Sequence, residues 1–152
     1  MTNIVNEVKA LLQIMLDLDA SDIYLTEGSA PMFRVNGEVR PVGSDILTSE
    51  DTERIAFSIM SPKEIDDFIN SHEQNLALYD TNLGRFRINI FQQRNSTGLV
   101  IRQIKTKIPS IEELFLPNIL KDIAMYQRGL VIMVGATGRG KSTSLAAMLD
   151  YR

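Results

Sequence analysis

The chain has no cysteine, a single histidine and no apolar run long enough to cross a bilayer. Without cysteine there can be no disulfide, thiolate metal site or thiol nucleophile, and the composition suits a reducing compartment. His72 cannot contribute to a histidine cluster; it follows a predicted helix, where a cation near the C-terminal end is favourable, and is expected to have a structural or solvent-facing role. The densest apolar run, Leu130 to Val134, falls far short of the roughly 20 residues a spanning helix needs. The opening "MTNIVNEVKALLQIMLDLDAS" carries charges throughout and lacks the basic, apolar and small-residue regions of a secretory signal. A net charge of only -3 offers nothing that would recruit nucleic acid or an anionic membrane. These absences leave a protein that is expected to be soluble or held at a membrane by partners. Internal repeats and low-complexity segments are also absent.

What is present is enough apolar residue, 44% of 152, for one core and part of a second. Ile4, Val8, Leu11, Leu12 and Met15 recur at helical spacing, predicting a helix over about 3–17. "SDIYLTE" and "MFRVNGEVRPV" alternate like strands, and Asn36-Gly37 suits a type I′ turn because both central residues need positive φ. Thr48 as a cap hydroxyl followed by the early acidic residues Glu50 and Asp51, and the capping box of Ser61 and Glu64 with Pro62 in the first turn, open two helices. "NLALYD", "RFRINIFQQR" and "LVIRQIKTK" read as three further strands, reversed at "TNLG" and "NSTG", giving an antiparallel meander. The expected fold class is α+β, helices on one face of a largely antiparallel sheet, for residues 1–108. Residues 109–118, bracketed by prolines, are the expected linker. Over 119–152 the pattern predicts a helix "NILKDIAMYQRG" capped by Gly129, a buried parallel strand "LVIMV", a loop, and a helix after Lys141.

Gly135-Ala136-Thr137-Gly138-Arg139-Gly140-Lys141-Ser142 fits G-x-x-x-x-G-K-[ST] at every required position, between a predicted strand and a predicted helix. Glycines let the main chain wrap a phosphate, successive N–H groups point inward, and the helix N-terminus adds its positive end. Lys141 would place its charge on the β- and γ-phosphates, Ser142 would ligate Mg²⁺, and Thr143 supplies a nearby hydroxyl. The motif binds nucleotide without choosing among ATPase, GTPase and kinase. Residues that orient a nucleophile and support the metal come from later strands, so the chain reads as the N-terminal part of a longer enzyme and is not expected to hydrolyse nucleotide alone.

Other constellations carry less. Asp17, Asp19 and Asp22 suggest calcium, yet an EF-hand loop needs Gly where Asp22 stands and a Glu at its end; helix termination and capping are expected instead. Methionines 15, 32, 60, 125, 133 and 148 read as core filling.

"ASDIYLTEGSAPMFRVNGEVRPV", "GRFRINIFQQRNSTGLVIRQI" and "GLVIMVGATGRGKSTSLAAMLDY" together resemble the PilT/PilU group of type IV pilus retraction ATPases, within the secretion-ATPase superfamily; the likeness covers essentially the whole chain. "VGATG" followed by "KSTSLAAM" leans toward the PilU branch. The resemblance implies a PAS-like N-terminal domain followed by the first strand, Walker A loop and helix of a RecA-like ATPase domain. It further implies ATP and Mg²⁺ as ligands, a cytoplasmic homo-hexamer peripheral to the inner membrane, and a role in pilus retraction and twitching motility. The partners implied are an inner-membrane platform protein of the pilus and a PilT-type paralogue, with no nucleic acid. In that family N-terminal arginines approach the nucleotide. The matching strands here hold Arg85, Arg87, Arg94 and Arg102, of which Arg87 in "RFRIN" and Arg102 in "VIRQI" match best and are assigned the catalytic role. Arg85 and Arg87 share a strand face, whereas Arg94 has the opposite parity. The plain alternative is that all four are outward-facing strand residues. Arg139 departs from the small residue the family usually has in the loop, which puts the loop's detailed geometry in question. Two other readings stay open: a non-catalytic PAS-like interaction or sensing module, and an unrelated phosphate-loop kinase or GTPase.

Overall fold

A computed structural model describes residues 6–105, 107–136 and 139–152. Two compact units divide the chain, Met1–Ile104 and Lys105–Arg152. The first is α+β: helix α1 (Asn6–Asp17), strands β1 (Asp22–Leu25), β2 (Met32–Val35) and β3 (Glu38–Pro41), helices α2 (Ser49–Ile59) and α3 (Pro62–Ser71), then β4 (Glu73–Asp80), β5 (Gly84–Gln93) and β6 (Ser96–Ile104). One six-stranded sheet takes the order β3-β2-β1-β6-β5-β4, antiparallel at every pairing.

Local chemistry explains most boundaries. Asn36 and Gly37 both have positive φ, as the two-residue turn between β2 and β3 requires. Thr48 and Asp51 close a reciprocal capping box on α2, and Ser61 and Glu64 do the same on α3, whose first residue is Pro62. His72 ends α3 in the left-handed conformation, its N–H donating to the Phe68 carbonyl at 2.8 Å.

Alternation then decides which face is which. Ile23, Phe33, Ile88 and Ile101 lie side by side across the strands and are fully buried beneath Val8, Leu12 and Met15 of α1, Ile55 and Ala56 of α2, and Phe68 of α3. Burying side chains of this size is worth about 1.5–3 kcal/mol each. The intervening residues, among them Tyr24, Arg34, Arg87, Asn89 and Arg102, occupy the face that the helices leave open.

The last reversal departs from expectation. Arg94 and Asn95, with φ of 50° and 67°, form the two-residue turn, while Ser96 to Gly98 continue β6. Gly98 is needed as a strand residue: it pairs with Phe91, and a Cβ there would sit 2.8 Å from that ring. Arg94 is therefore a turn residue.

In the second unit Ser110 and Glu113 cap one another at the start of a short turn, with bonds of 2.9 and 3.1 Å. Helix α4 (Ile119–Ala124) and helix α5 (Lys141–Tyr151) follow. Ile111, Ala147 and Met148 form a small core with Leu114, Leu116, Leu120, Ile123 and Met133 against it. Two sequence expectations are corrected here. Helix α4 stops at Met125, short of Gly129, and Met125 and Tyr126 are exposed, so continuing the helix would bury nothing further. "LVIMV" is not a strand: Leu130 and Val134 are 84% and 86% exposed. A strand needs a neighbour for its N–H and C=O groups, and no described residue of this unit supplies one.

Candidate functional site

Among the described loop residues, Gly135 and Ala136 precede Arg139, and Gly140 with φ of 77° leads into α5. Thr137 and Gly138 lie outside the described residues. Lys141 opens α5 and turns its ammonium back on the loop, donating to the carbonyl oxygens of Gly135 and Ala136 at 2.7 Å each. A Cβ on Gly135 would meet the Lys141 stem at 3.8 Å, an ordinary contact, so a clash with Lys141 is not what glycine avoids there. Among the described residues no side chain caps the start of α5, and a main-chain bond runs from Ser144 N–H to the Gly140 carbonyl at 2.8 Å. The N–H groups of the first turn are therefore available to an anion, and Ser142 and Thr143 stand exposed on that turn. Arg139 is exposed.

The open face of the sheet in the first unit brings together what no single strand reveals. Register places Arg87 of β5 opposite Arg102 of β6, Arg102 opposite Asp22 of β1, and Asp22 opposite Arg34 of β2. Three guanidiniums and one carboxylate thus form a row across four strands. Asp22 is 3% exposed and accepts from Arg102 Nε at 2.7 Å and from Ser21 Oγ at 2.8 Å, with Arg34 Nε at 3.3 Å. Burial pushes the Asp22 carboxyl up, but hydrogen bonds from Arg102 and Ser21 and the charges of Arg102 and Arg34 outweigh it, leaving the pKa below the ordinary value. Arg102 and Arg34 are both raised, the first by its bond to Asp22, the second by its bond to Tyr24.

Arg87 donates to Asn75 Oδ1 at 3.4 Å. Arg85 lies further along the same face, 5.7 Å over the Tyr79 ring. Arg94, at the hairpin tip, stands apart from the row and lines a cleft of about 480 Å³ with Phe91, Glu27 and Thr97. Sequence reasoning missed Asp22 and Arg34 as members of the row. Their parity was readable from "SDIYL" and "MFRV", but the pairing of β1 with β6, about 80 residues later in the chain, was not.

An antiparallel sheet of this order covered by helices on one face matches the N-terminal domain of PilT and DotB ATPases. The solved structures agree. The crystal structure of the pilus retraction motor PilT with bound ADP superposes with a TM-score of 0.74 at 34% identity, over 93% of this chain and 41% of that one. The ATPase DotB of Legionella pneumophila gives 0.80 at 25% identity, over 93% and 41%. The particular relationship comes from sequence: the chain is 48% identical over 146 residues to the type IV pilus ATPase PilU of Pseudomonas aeruginosa, and 37% identical over 145 residues to the type IV pilus retraction ATPase PilT of that organism. These similarities extend over 96% and 95% of this chain, respectively. It spans about two fifths of the length of these relatives. No family profile matches it. No helix among the described residues is long and apolar enough to cross a membrane.

Proposed function

We propose that this chain is the N-terminal, nucleotide-engaging part of a PilU-like ATPase that powers type IV pilus retraction and twitching motility. The observation that carries it is the complete G-x-x-x-x-G-K-S segment, running into an uncapped helix N-terminus, in a chain so similar to PilU. In this reading residues 1–108 are a PAS-like domain, 109–118 a linker and 119–152 the start of a RecA-like motor. The active protein is a cytoplasmic homo-hexamer peripheral to the inner membrane, working with a pilus platform protein and a PilT-type paralogue.

ATP is the substrate. Gly135 to Ser142 would wrap its phosphates with main-chain N–H groups. Lys141, whose ammonium is held at the loop by the Gly135 and Ala136 carbonyls, would exchange these two oxygens for β- and γ-phosphate oxygens. The Ser142 hydroxyl, exposed beside Lys141, fits a Mg²⁺ ligand, and the ion would supply neutralisation of phosphate charge. Arg87 and Arg102 would donate to the γ-phosphate in the assembled enzyme, where a permanent planar cation follows charge as it redistributes. The excess of guanidinium over carboxylate on the open sheet face supports an anionic partner for it. Steady-state ATP hydrolysis by the full-length protein tests the reading. Lys141→Ala should abolish turnover, and unchanged turnover would refute it.

A further inference from the structure

Asp22 is the only charged residue buried among the described residues. A carboxylate is removed from water at considerable cost and persists there only when paired and hydrogen-bonded. Its two arginines are held in different ways. Arg34 gives Nε and Nη2 to the Tyr24 hydroxyl at 2.9 and 2.5 Å and Nη1 to the Gly37 carbonyl at 3.4 Å, and it lies 5.5 Å over the Tyr24 ring. That guanidinium is tied into the sheet. Arg102 is bonded to Asp22 through Nε alone, at 2.7 Å, with its side chain 65% exposed. An arginine gripped at Nε has its plane fixed while both terminal nitrogens stay available, which is the pair of donors a phosphoryl group takes.

We infer that Asp22 is a positioning residue, which by holding Arg102 at Nε presents the terminal nitrogens of that side chain to a phosphoryl oxygen. The inference rests on the nucleotide reading above and goes beyond it by naming what aims the arginine. Arg87 has no carboxylate opposite it, only Ala77 on one side and Arg102 on the other. Of the two arginines assigned to the nucleotide, only Arg102 is pre-set.

Two measurements test it. In this chain, labelled at arginine side chains, the Arg102 Nε–H should give a sharp resonance protected from solvent exchange in the wild type and an unprotected one in Asp22→Asn; an unprotected resonance in the wild type overturns the inference. In the full-length ATPase, Asp22→Asn should lower kcat about ten- to a hundredfold, as a misplaced catalytic group does, while KM for ATP stays within about twofold. Combined with Arg102→Ala it should cost no more than Arg102→Ala alone. A purely structural Asp22 would lower stability but leave kcat per folded molecule unchanged, both alone and in the Arg102→Ala background, which overturns the inference. If Arg102→Ala turns over ATP normally, the nucleotide reading of Arg102 falls; if Arg102→Ala is impaired and Asp22→Asn is not, only the positioning role falls.

Discussion

Gly98 and Phe91 allow a prediction in which a substitution changes sign with its neighbour. The two residues face each other across β5 and β6, and a Cβ on Gly98 would lie 2.8 Å from Phe91 Cε2 and Cζ. In Gly98→Ala the ring must retreat to at least 3.4 Å, where ordinary contact begins, and leave the position it holds over the strand. Overpacking of this kind costs about 1–3 kcal/mol. With the ring gone, as in Phe91→Ala, nothing opposes the new methyl. Replacing a mid-strand glycine then stabilises by about 0.5–1 kcal/mol through the unfolded state. The unfolded-state gain is common to both backgrounds, so the coupling between the two sites is the clash itself, about 1–3 kcal/mol, above the scatter of independent sites. Urea unfolding followed by far-UV circular dichroism, with the four proteins of the cycle, measures it. An equal cost for Gly98→Ala in both backgrounds would show that Phe91 does not lie on Gly98.

Further predictions concern charge and capping. Asp51 is lowered to about 2, chiefly by hydrogen bonds from the Thr48 hydroxyl and N–H, and Glu64 and Asp22 are also lowered. Because these carboxyls bind protons less readily when folded, they contribute stability above their ordinary values of 3.8 to 4.5, and lose it as pH falls towards about 2. Urea midpoints should therefore be flat from pH 7 to about 5 and fall below that, with a shallower fall in Asp51→Asn; a midpoint rising with acid would contradict the linkage. Ser61→Ala, which removes one half of the α3 capping box, should cost about 1 kcal/mol by the same unfolding assay. In the full-length enzyme, Arg87→Ala and Arg102→Ala should each slow turnover more than they weaken nucleotide binding, and unchanged rates in both would return these residues to an ordinary sheet surface.

Much of the first unit was legible because its signals are local. Asn36-Gly37 carries its turn type in two residues, Thr48 its cap in one, and Ser61/Glu64 their capping box in four. Where a signal depends on a distant partner, reading along the chain failed. "NSTG" has turn composition, yet Gly98 serves a packing contact with Phe91 and the turn falls at Arg94-Asn95. "LVIMV" has the composition of a buried strand, but a ladder needs a second strand and composition does not supply one. Parity along β5 showed that Arg85 and Arg87 share a face. It could not show that Arg87, Arg102, Asp22 and Arg34 form one row, because that follows from the register of β1 on β6. The loop was legible as a pattern at Gly135 to Ser142, while the capture of Lys141 by the Gly135 and Ala136 carbonyls is visible only in three dimensions.

Phosphate capture by that loop is the claim on which the rest depends. Residue-resolved amide shifts on titrating this chain with Mg²⁺-ATP test it most directly. Perturbations concentrated at the main-chain amides between Gly135 and Thr143, and lost in Lys141→Ala, are predicted. Shifts confined to other residues, or unaffected by Lys141→Ala, would contradict it.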